Sequence, residues 1–70
     1  MKTRYRFTNK QKTFGSSATL ENGIIINAGS PFSKSLEGHT EEELIEWLKR
    51  NNFIVEKAIE KSPYEPVLLE

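Results

Sequence analysis

The first regular pattern of apolar and polar positions lies in residues 3–8. Tyr5 and Phe7 fall on one side of this segment, and Arg4 and Arg6 fall on the other. A period of two residues with aromatic side chains is typical of a strand with one buried face. The pattern predicts a strand here, with its aromatic side chains in the core and its arginines in solvent.

Apolar segments also flank the dipeptide Asn22-Gly23. This dipeptide favours a two-residue hairpin turn, because both of its positions tolerate a positive φ. We therefore predict strands at residues 16–21 and 24–28. Their register pairs Glu21 with Ile24, Leu20 with Ile25, Thr19 with Ile26, and Ala18 with Asn27.

The second hairpin strand carries three consecutive isoleucines, residues 24–26. Both of its faces are apolar, which is typical of a strand that is covered on both sides. We expect this strand to lie in the centre of the sheet. The following stretch, residues 30–39, shows no clear element, with Phe32 and Leu36 as its expected anchors.

A helix is predicted at residues 41–51. Thr40 is a good N-cap, and Glu43 three residues later completes a capping box. Four apolar side chains then fall on one arc at helical spacing. These are Leu44, Ile45, Trp47 and Leu48.

Residues 53–59 begin like a strand, although residues 54–61 also fit a helix. Pro63 and Pro66 bracket a turn or an extended linker. Residues 67–69 are apolar and fit a short strand or a docking tail.

The order of elements predicts a small α+β domain. A strand, an Asn-Gly hairpin and one or two C-terminal strands form an antiparallel sheet, and a single helix packs on one face. Seventy residues make one domain, residues 1–70. Without any cysteine, the chain has no disulfide, thiolate metal site or cysteine nucleophile.

The charges are sorted along the chain. Residues 1–34 hold six basic residues against one acid, a net charge of +5, and residues 35–70 hold four basic residues against nine acids, a net charge of −5. Such asymmetry hints at a partner with a charged surface.

Basic and aromatic residues alternate at the N-terminus, as on surfaces that contact phosphates and stack on bases. The candidate nucleic-acid-binding residues are Lys2, Arg4, Arg6, Lys10 and Lys12. In another reading, Tyr5 and Phe7 are plain core residues and the cations pair with the acidic helix of the same domain. A second hypothesis is a protein-binding module or inhibitor of the phage- or plasmid-regulator type, acting through the acidic half. Its candidate residues are Glu42, Glu46, Glu56 and Glu60.

Catalytic chemistry finds little support in the sequence. His39 is the only histidine and has no evident partner, and no serine lies in a nucleophile motif. Glu41, Glu42 and Glu43 point in different directions around a helix and complement its dipole. We expect a non-enzymatic, cytoplasmic binding module without metal or other cofactor. No signal peptide or membrane span is predicted.

One longer pattern combines the strand Gly23-Ile24-Ile25-Ile26, the dipeptide Gly29-Ser30, Leu44-Ile45 and Asn52-Phe53-Ile54. Residues 18–54 thereby resemble a short uncharacterised domain at the C-terminal end of some GIY-YIG-type nucleases and restriction-associated proteins. They depart from it at Ala28, where that domain usually has a lysine. The resemblance implies an accessory module near nucleic-acid enzymes and no catalytic residue.

Overall fold

The structure is a computed structural model that describes residues 1–30 and 32–69. Seven elements follow one another along the chain. They are β1 (Lys2–Thr8), β2 (Gly15–Glu21), β3 (Ile24–Ala28), α1 (Ser33–Leu36), α2 (Glu41–Arg50), β4 (Ile54–Ile59) and β5 (Glu65–Pro66).

The five strands form one antiparallel sheet in the order β3-β2-β1-β4-β5. The N-terminal strand β1 is therefore the central strand, with β2 on one side and β4 on the other. The small α+β fold predicted from the sequence is confirmed.

Helix α2 covers one face of this sheet, here called the helix-covered face. The core between them joins Tyr5 and Phe7 of β1 to Leu44 and Leu48 of α2, and all four are 0–1% exposed. The other strands add small and branched side chains at the same level, namely Ala18, Leu20, Ile25, Ala28 and Val55. The period of two in β1 and the helical arc of α2 thus meet in one apolar layer, as both patterns predict.

The isoleucine strand β3 lies at an edge of the sheet, so the prediction of a central, covered strand is wrong. Ile25 is buried, but Ile24 and Ile26 are 40% and 47% exposed. The central place is taken by β1, whose aromatic residues fill the layer beneath α2. The outer side of β3 is shielded locally, because the Ile25 N–H donates to the carbonyl of His39 and the Ile25 carbonyl accepts from Gly38 N–H.

The register of the hairpin is only half as predicted. Glu21 pairs with Ile24 and Leu20 pairs with Ile25, as expected, but Thr19 then pairs with Asn27 and Ala18 with Ala28. Ile26 is an extra residue in a β-bulge. The bulge lets Ile25 and Ala28 both reach the core although they are three residues apart. The predicted pairs of Thr19 with Ile26 and Ala18 with Asn27 are therefore wrong.

The turn at Asn22-Gly23 is confirmed. The φ angles are 54° at Asn22 and 83° at Gly23, so both residues adopt the left-handed conformation that a type I′ turn needs. Residues 9–14 form the hairpin turn between β1 and β2. In it the Asn9 side-chain oxygen accepts from the backbone N–H groups of Thr13 and Phe14.

The predicted limits of α2 agree with the structure to one residue. The Glu43 N–H donates to Thr40 Oγ1 over 3.3 Å, and the Thr40 N–H donates to Glu43 Oε1 over 2.9 Å. This is the predicted capping box. At the other end, Asn51 is the C-cap and Asn52 has a φ of 59°.

We expect Thr40→Ala to lower the free energy of unfolding by about 1 kcal/mol, because a backbone N–H in the first turn loses its acceptor. Thr40→Ser keeps the hydroxyl and should retain most of the stability. Urea denaturation followed by far-UV circular dichroism checks both variants. Equal losses in the two variants would contradict a role for this cap.

The remaining segments settle the open predictions. Residues 30–39 contain the single-turn helix α1, with Leu36 buried and Phe32 half-buried against the core, as expected of the two anchors. The strand alternative holds for β4, and the helical alternative for residues 54–61 is wrong. The last strand is β5 rather than residues 67–69. That tail docks instead, with Val67 and Leu69 against the core and Leu68 82% exposed.

Candidate nucleic-acid interface

The face of the sheet opposite α2, here called the helix-free face, carries the basic side of β1. Lys2, Arg4 and Arg6 alternate with the core residues of that strand and are exposed. Because β1 is the central strand, these cations stand in the middle of the face. Arg4 and Arg6 are two residues apart, so their Cα atoms are separated by about 7 Å.

Arg4 has uncharged neighbours on both sides. Its partner on β2 is Thr19 and its partner on β4 is Ala58. Among residues 1–30 and 32–69, Arg4 takes part in no ion pair. Its guanidinium is therefore available to a ligand at the centre of the helix-free face.

Arg6 is held by two contacts. Its Nε and Nη2 atoms both donate to Oε1 of Glu56, on the adjacent strand β4, over 2.9 and 2.5 Å. Its Cζ atom lies 4.4 Å from the centre of the Tyr64 ring. The ion pair is exposed, with 52% of the Arg6 side chain and 37% of the Glu56 side chain accessible. An exposed pair of this kind contributes about 0–1 kcal/mol, so a stronger acceptor can replace the carboxylate.

Neither of the two β1 arginines pairs with the acidic helix, from which the whole sheet separates them. The ion pair that joins the sheet to α2 uses Lys57 and Glu41 instead. The reading in which the N-terminal cations are neutralised by that helix is therefore wrong for Arg4 and Arg6. Carboxylates of the sheet do reach this face, since Glu21 pairs in register with Lys2 and Glu56 with Arg6.

Lys10 and Lys12 lie apart from the other three candidates. Both are exposed in the turn between β1 and β2, beyond the end of the central strand. Lys12 has a φ of 58°, and its backbone N–H donates to the Asn9 carbonyl. Only three of the five candidates therefore lie on β1, which is about 20 Å long, and the two lysines of the turn follow beyond its end.

The four acidic candidates do not share one surface. Glu42 and Glu46 are exposed on α2, whereas Glu56 lies on the helix-free face beside Arg6. Glu60 follows β4, and its backbone N–H donates to the Lys2 carbonyl. A single flat partner cannot contact the two glutamates of α2 and the two glutamates of the β4 region at once.

Tyr64 is the residue of this interface that sequence reasoning missed. It lies between Pro63 and Pro66, in the segment that leads from β4 to β5, and its ring is half-buried over Arg6. The sequence does hold one indication of its role, since Tyr64 is an aromatic residue in a proline-bracketed turn where no core position is predicted. Nothing in the spacing of residues 6 and 64 predicts that they meet.

A polar cluster joins the sheet to α2 on the helix-covered face. The Tyr5 hydroxyl donates to Oε2 of Glu41 over 2.5 Å, and Nζ of Lys57 lies 3.2 Å from the same oxygen. Burial, followed by the bond to Glu41, raises the pKa of Tyr5 well above its ordinary value. The Tyr5 bond and the Lys57 ammonium lower the pKa of Glu41. Glu41 therefore stabilises the fold above the ordinary pKa of a glutamate, and this contribution is lost as the pH falls.

His39 lies beside the capping box rather than in a catalytic arrangement. Its Nδ1 atom is 3.4 Å from Oε1 of Glu43, and half of its side chain is exposed. The bonds from Thr40 and the neighbouring His39 lower the pKa of Glu43. An open groove of about 200 Å³ runs past His39 and Trp47, and the serine that lines it is Ser35.

Within residues 1–30 and 32–69, no three histidine or carboxylate side chains are placed to hold a metal ion. Over the same ranges, no helix has the length and apolar character needed to cross a membrane. Comparisons with family models, curated proteins and solved structures gave no match. The resemblance of residues 18–54 to the nuclease-associated domain stays a prediction.

Proposed function

We propose that this protein is a small non-catalytic accessory module that binds nucleic acid through the helix-free face of its sheet. Arg4 and Arg6 form the centre of the contact. Lys2 extends it along β1, and Lys10 and Lys12 extend it into the turn that follows β1. The observation that carries the proposal is the central position of β1. It places Arg4, which is exposed and has no ion pair with residues 1–30 or 32–69, between Thr19 and Ala58.

The geometry suits phosphate contacts. Two arginines project from one strand with their Cα atoms about 7 Å apart, close to the distance between successive phosphates of a strand. The two cross-strand neighbours of Arg4, Thr19 and Ala58, are small and uncharged, so a nucleic-acid backbone can approach it closely from the strands beside it. At Arg6 a phosphate would take the hydrogen bonds that Glu56 now accepts, at the small cost expected of an exposed pair.

The test is oligonucleotide binding measured by fluorescence anisotropy over a series of salt concentrations. For about four phosphate contacts, log K should fall with log[salt] with a slope of about −3 to −4. The double variant Arg4→Ala plus Arg6→Ala should bind at least about 10-fold more weakly and reduce that slope by about 1.5 to 2.

A matched control removes the same charge from the opposite side of the molecule. Lys49 and Arg50 are exposed in the last turn of α2, so Lys49→Ala plus Arg50→Ala should leave the affinity within about 2-fold. Equal losses of affinity in the two double variants would show that binding depends on net charge alone and not on the helix-free face. Binding that ignores salt, or no binding at all, would overturn the proposal.

A further inference from the structure

Tyr64 gives the helix-free face a feature that phosphate binding alone does not need. Its ring lies against the guanidinium of Arg6, with 4.4 Å between the ring centre and Cζ. The same ring, together with Arg4, Ala58, Glu60 and Lys61, lines a shallow groove of about 90 Å³. The aromatic ring and the Arg4 side chain therefore line one small depression, and the Arg6 guanidinium lies against the same ring.

The Arg6 contact fixes this arrangement. The Arg6 guanidinium donates two hydrogen bonds to the Glu56 carboxylate, and the ring of Tyr64 covers it. The turn that carries Tyr64 is tied back to the sheet on both sides, because the Glu60 N–H donates to Lys2 and the Val67 N–H donates to Val55. A ring that is positioned before a ligand arrives loses little freedom on binding.

The width of the sheet decides whether a duplex or a single strand fits this face. Four strands, β3 to β4, span about 14 Å between their outer axes, and β5 adds about 5 Å more. The major groove of B-DNA is about 12 Å wide. The sheet therefore lies across a duplex rather than in its groove, and an intact duplex would offer the central strand chiefly its phosphates. A single strand can turn its bases toward the face.

Resting on the proposed function, we propose that the partner is a single-stranded nucleic acid and that Tyr64 is its base-stacking residue. One base lies in the groove against Tyr64 and Arg4, while the adjacent phosphates contact Arg6 and Lys2 of β1. Aromatic stacking accepts any base, so the site binds single strands with little sequence preference.

The experiment compares a labelled single strand of about 12 nucleotides with the duplex of the same sequence. The wild type should bind the single strand more tightly than the duplex. Tyr64→Leu removes the aromatic face but keeps an apolar side chain. It should weaken single-strand binding by about 5- to 150-fold, which corresponds to about 1–3 kcal/mol for one stacked base, and leave duplex binding within about 2-fold.

Tyr64→Phe is the matched control, because it keeps the ring and loses only the hydroxyl. It should retain the affinity for the single strand within about 2-fold. Circular dichroism of the three proteins establishes that each is folded. A single strand that contains 2-aminopurine gives a second readout, because the fluorescence of this base changes when it stacks on an aromatic ring. Tyr64→Leu should abolish the fluorescence change on binding.

The outcomes separate the two proposals. Equal affinity for duplex and single strand, with no effect of Tyr64→Leu, would overturn the single-strand inference, while salt-dependent binding through Arg4 and Arg6 would still stand. Absence of binding to either oligonucleotide would overturn both. A preference for the single strand that Tyr64→Leu leaves unchanged would remove Tyr64 from the site.

Discussion

Phe7→Ala should lower the free energy of unfolding by about 3–5 kcal/mol, the range for truncation of a buried phenylalanine. Phe7 is 0% exposed and lies at the centre of an aromatic cluster on the helix-covered face. Its ring centre is 6.0 Å from that of Phe32, 5.9 Å from Trp47 and 5.1 Å from Phe53. Each of these neighbours comes from a different segment, so the cavity would loosen the sheet, α2 and the α1 region together.

A domain of this size has about 3.5–10 kcal/mol of stability in all. The variant should therefore be largely unfolded or melt at a much lower temperature, as followed by far-UV circular dichroism and by the fluorescence of Trp47. Phe14→Ala is the control, because Phe14 touches the same Phe32 ring at 5.4 Å but is 40% exposed. It should cost about 1 kcal/mol. A loss at Phe7 no larger than that at Phe14 would contradict the central place of Phe7.

Tyr5 should make the protein sensitive to alkali. Burial and the bond to Glu41 raise the pKa of Tyr5 in the folded state above the ordinary value of a tyrosine, about 10. Above about pH 10, an unfolded chain releases the Tyr5 proton while the folded chain keeps it. The unfolded state then binds fewer protons, so stability falls as the pH rises, by about 1.4 kcal/mol for each pH unit.

Tyr5→Phe should remove this slope. At neutral pH the variant should be less stable by about 1.5–3 kcal/mol, because the charged Glu41 loses a hydrogen bond in a partly buried setting. Above pH 10 the gap between variant and wild type should narrow. Urea midpoints measured between neutral pH and about pH 12 follow both effects.

The control is Tyr64→Phe, which removes the other tyrosine hydroxyl of the chain and leaves Tyr5 in place. It should retain the alkaline slope that Tyr5 contributes. Should Tyr5→Phe fall with pH as steeply as the wild type, the alkaline sensitivity would have another source, and the bond between Tyr5 and Glu41 would not carry it.

The candidate site was accessible to sequence reasoning only in part. The alternation of β1 predicts that Arg4 and Arg6 face away from the core, and they do. The partners of these arginines come from far along the chain, Glu56 and Tyr64, and no local pattern links them. The line of five cations is likewise divided by the fold, because the strand ends before Lys10.

What the sequence determined by itself is local. Three features depend on residues within a few positions of one another: the Asn22-Gly23 turn, the capping box at Thr40 and the alternation of β1. At that range, residue type decides the backbone conformation and the side-chain hydrogen bonds.

Only the tertiary structure decided the strand order. Three isoleucines in β3 are apolar enough for a central strand, but the sheet can bury a single layer beneath one helix, and the aromatic residues of β1 fill it. The bulge at Ile26 also depends on this buried layer, since it brings Ala28 back to the core. Strand order depends on which apolar faces meet across the whole chain, and this is why the arginines of β1 lie at the centre of an open face.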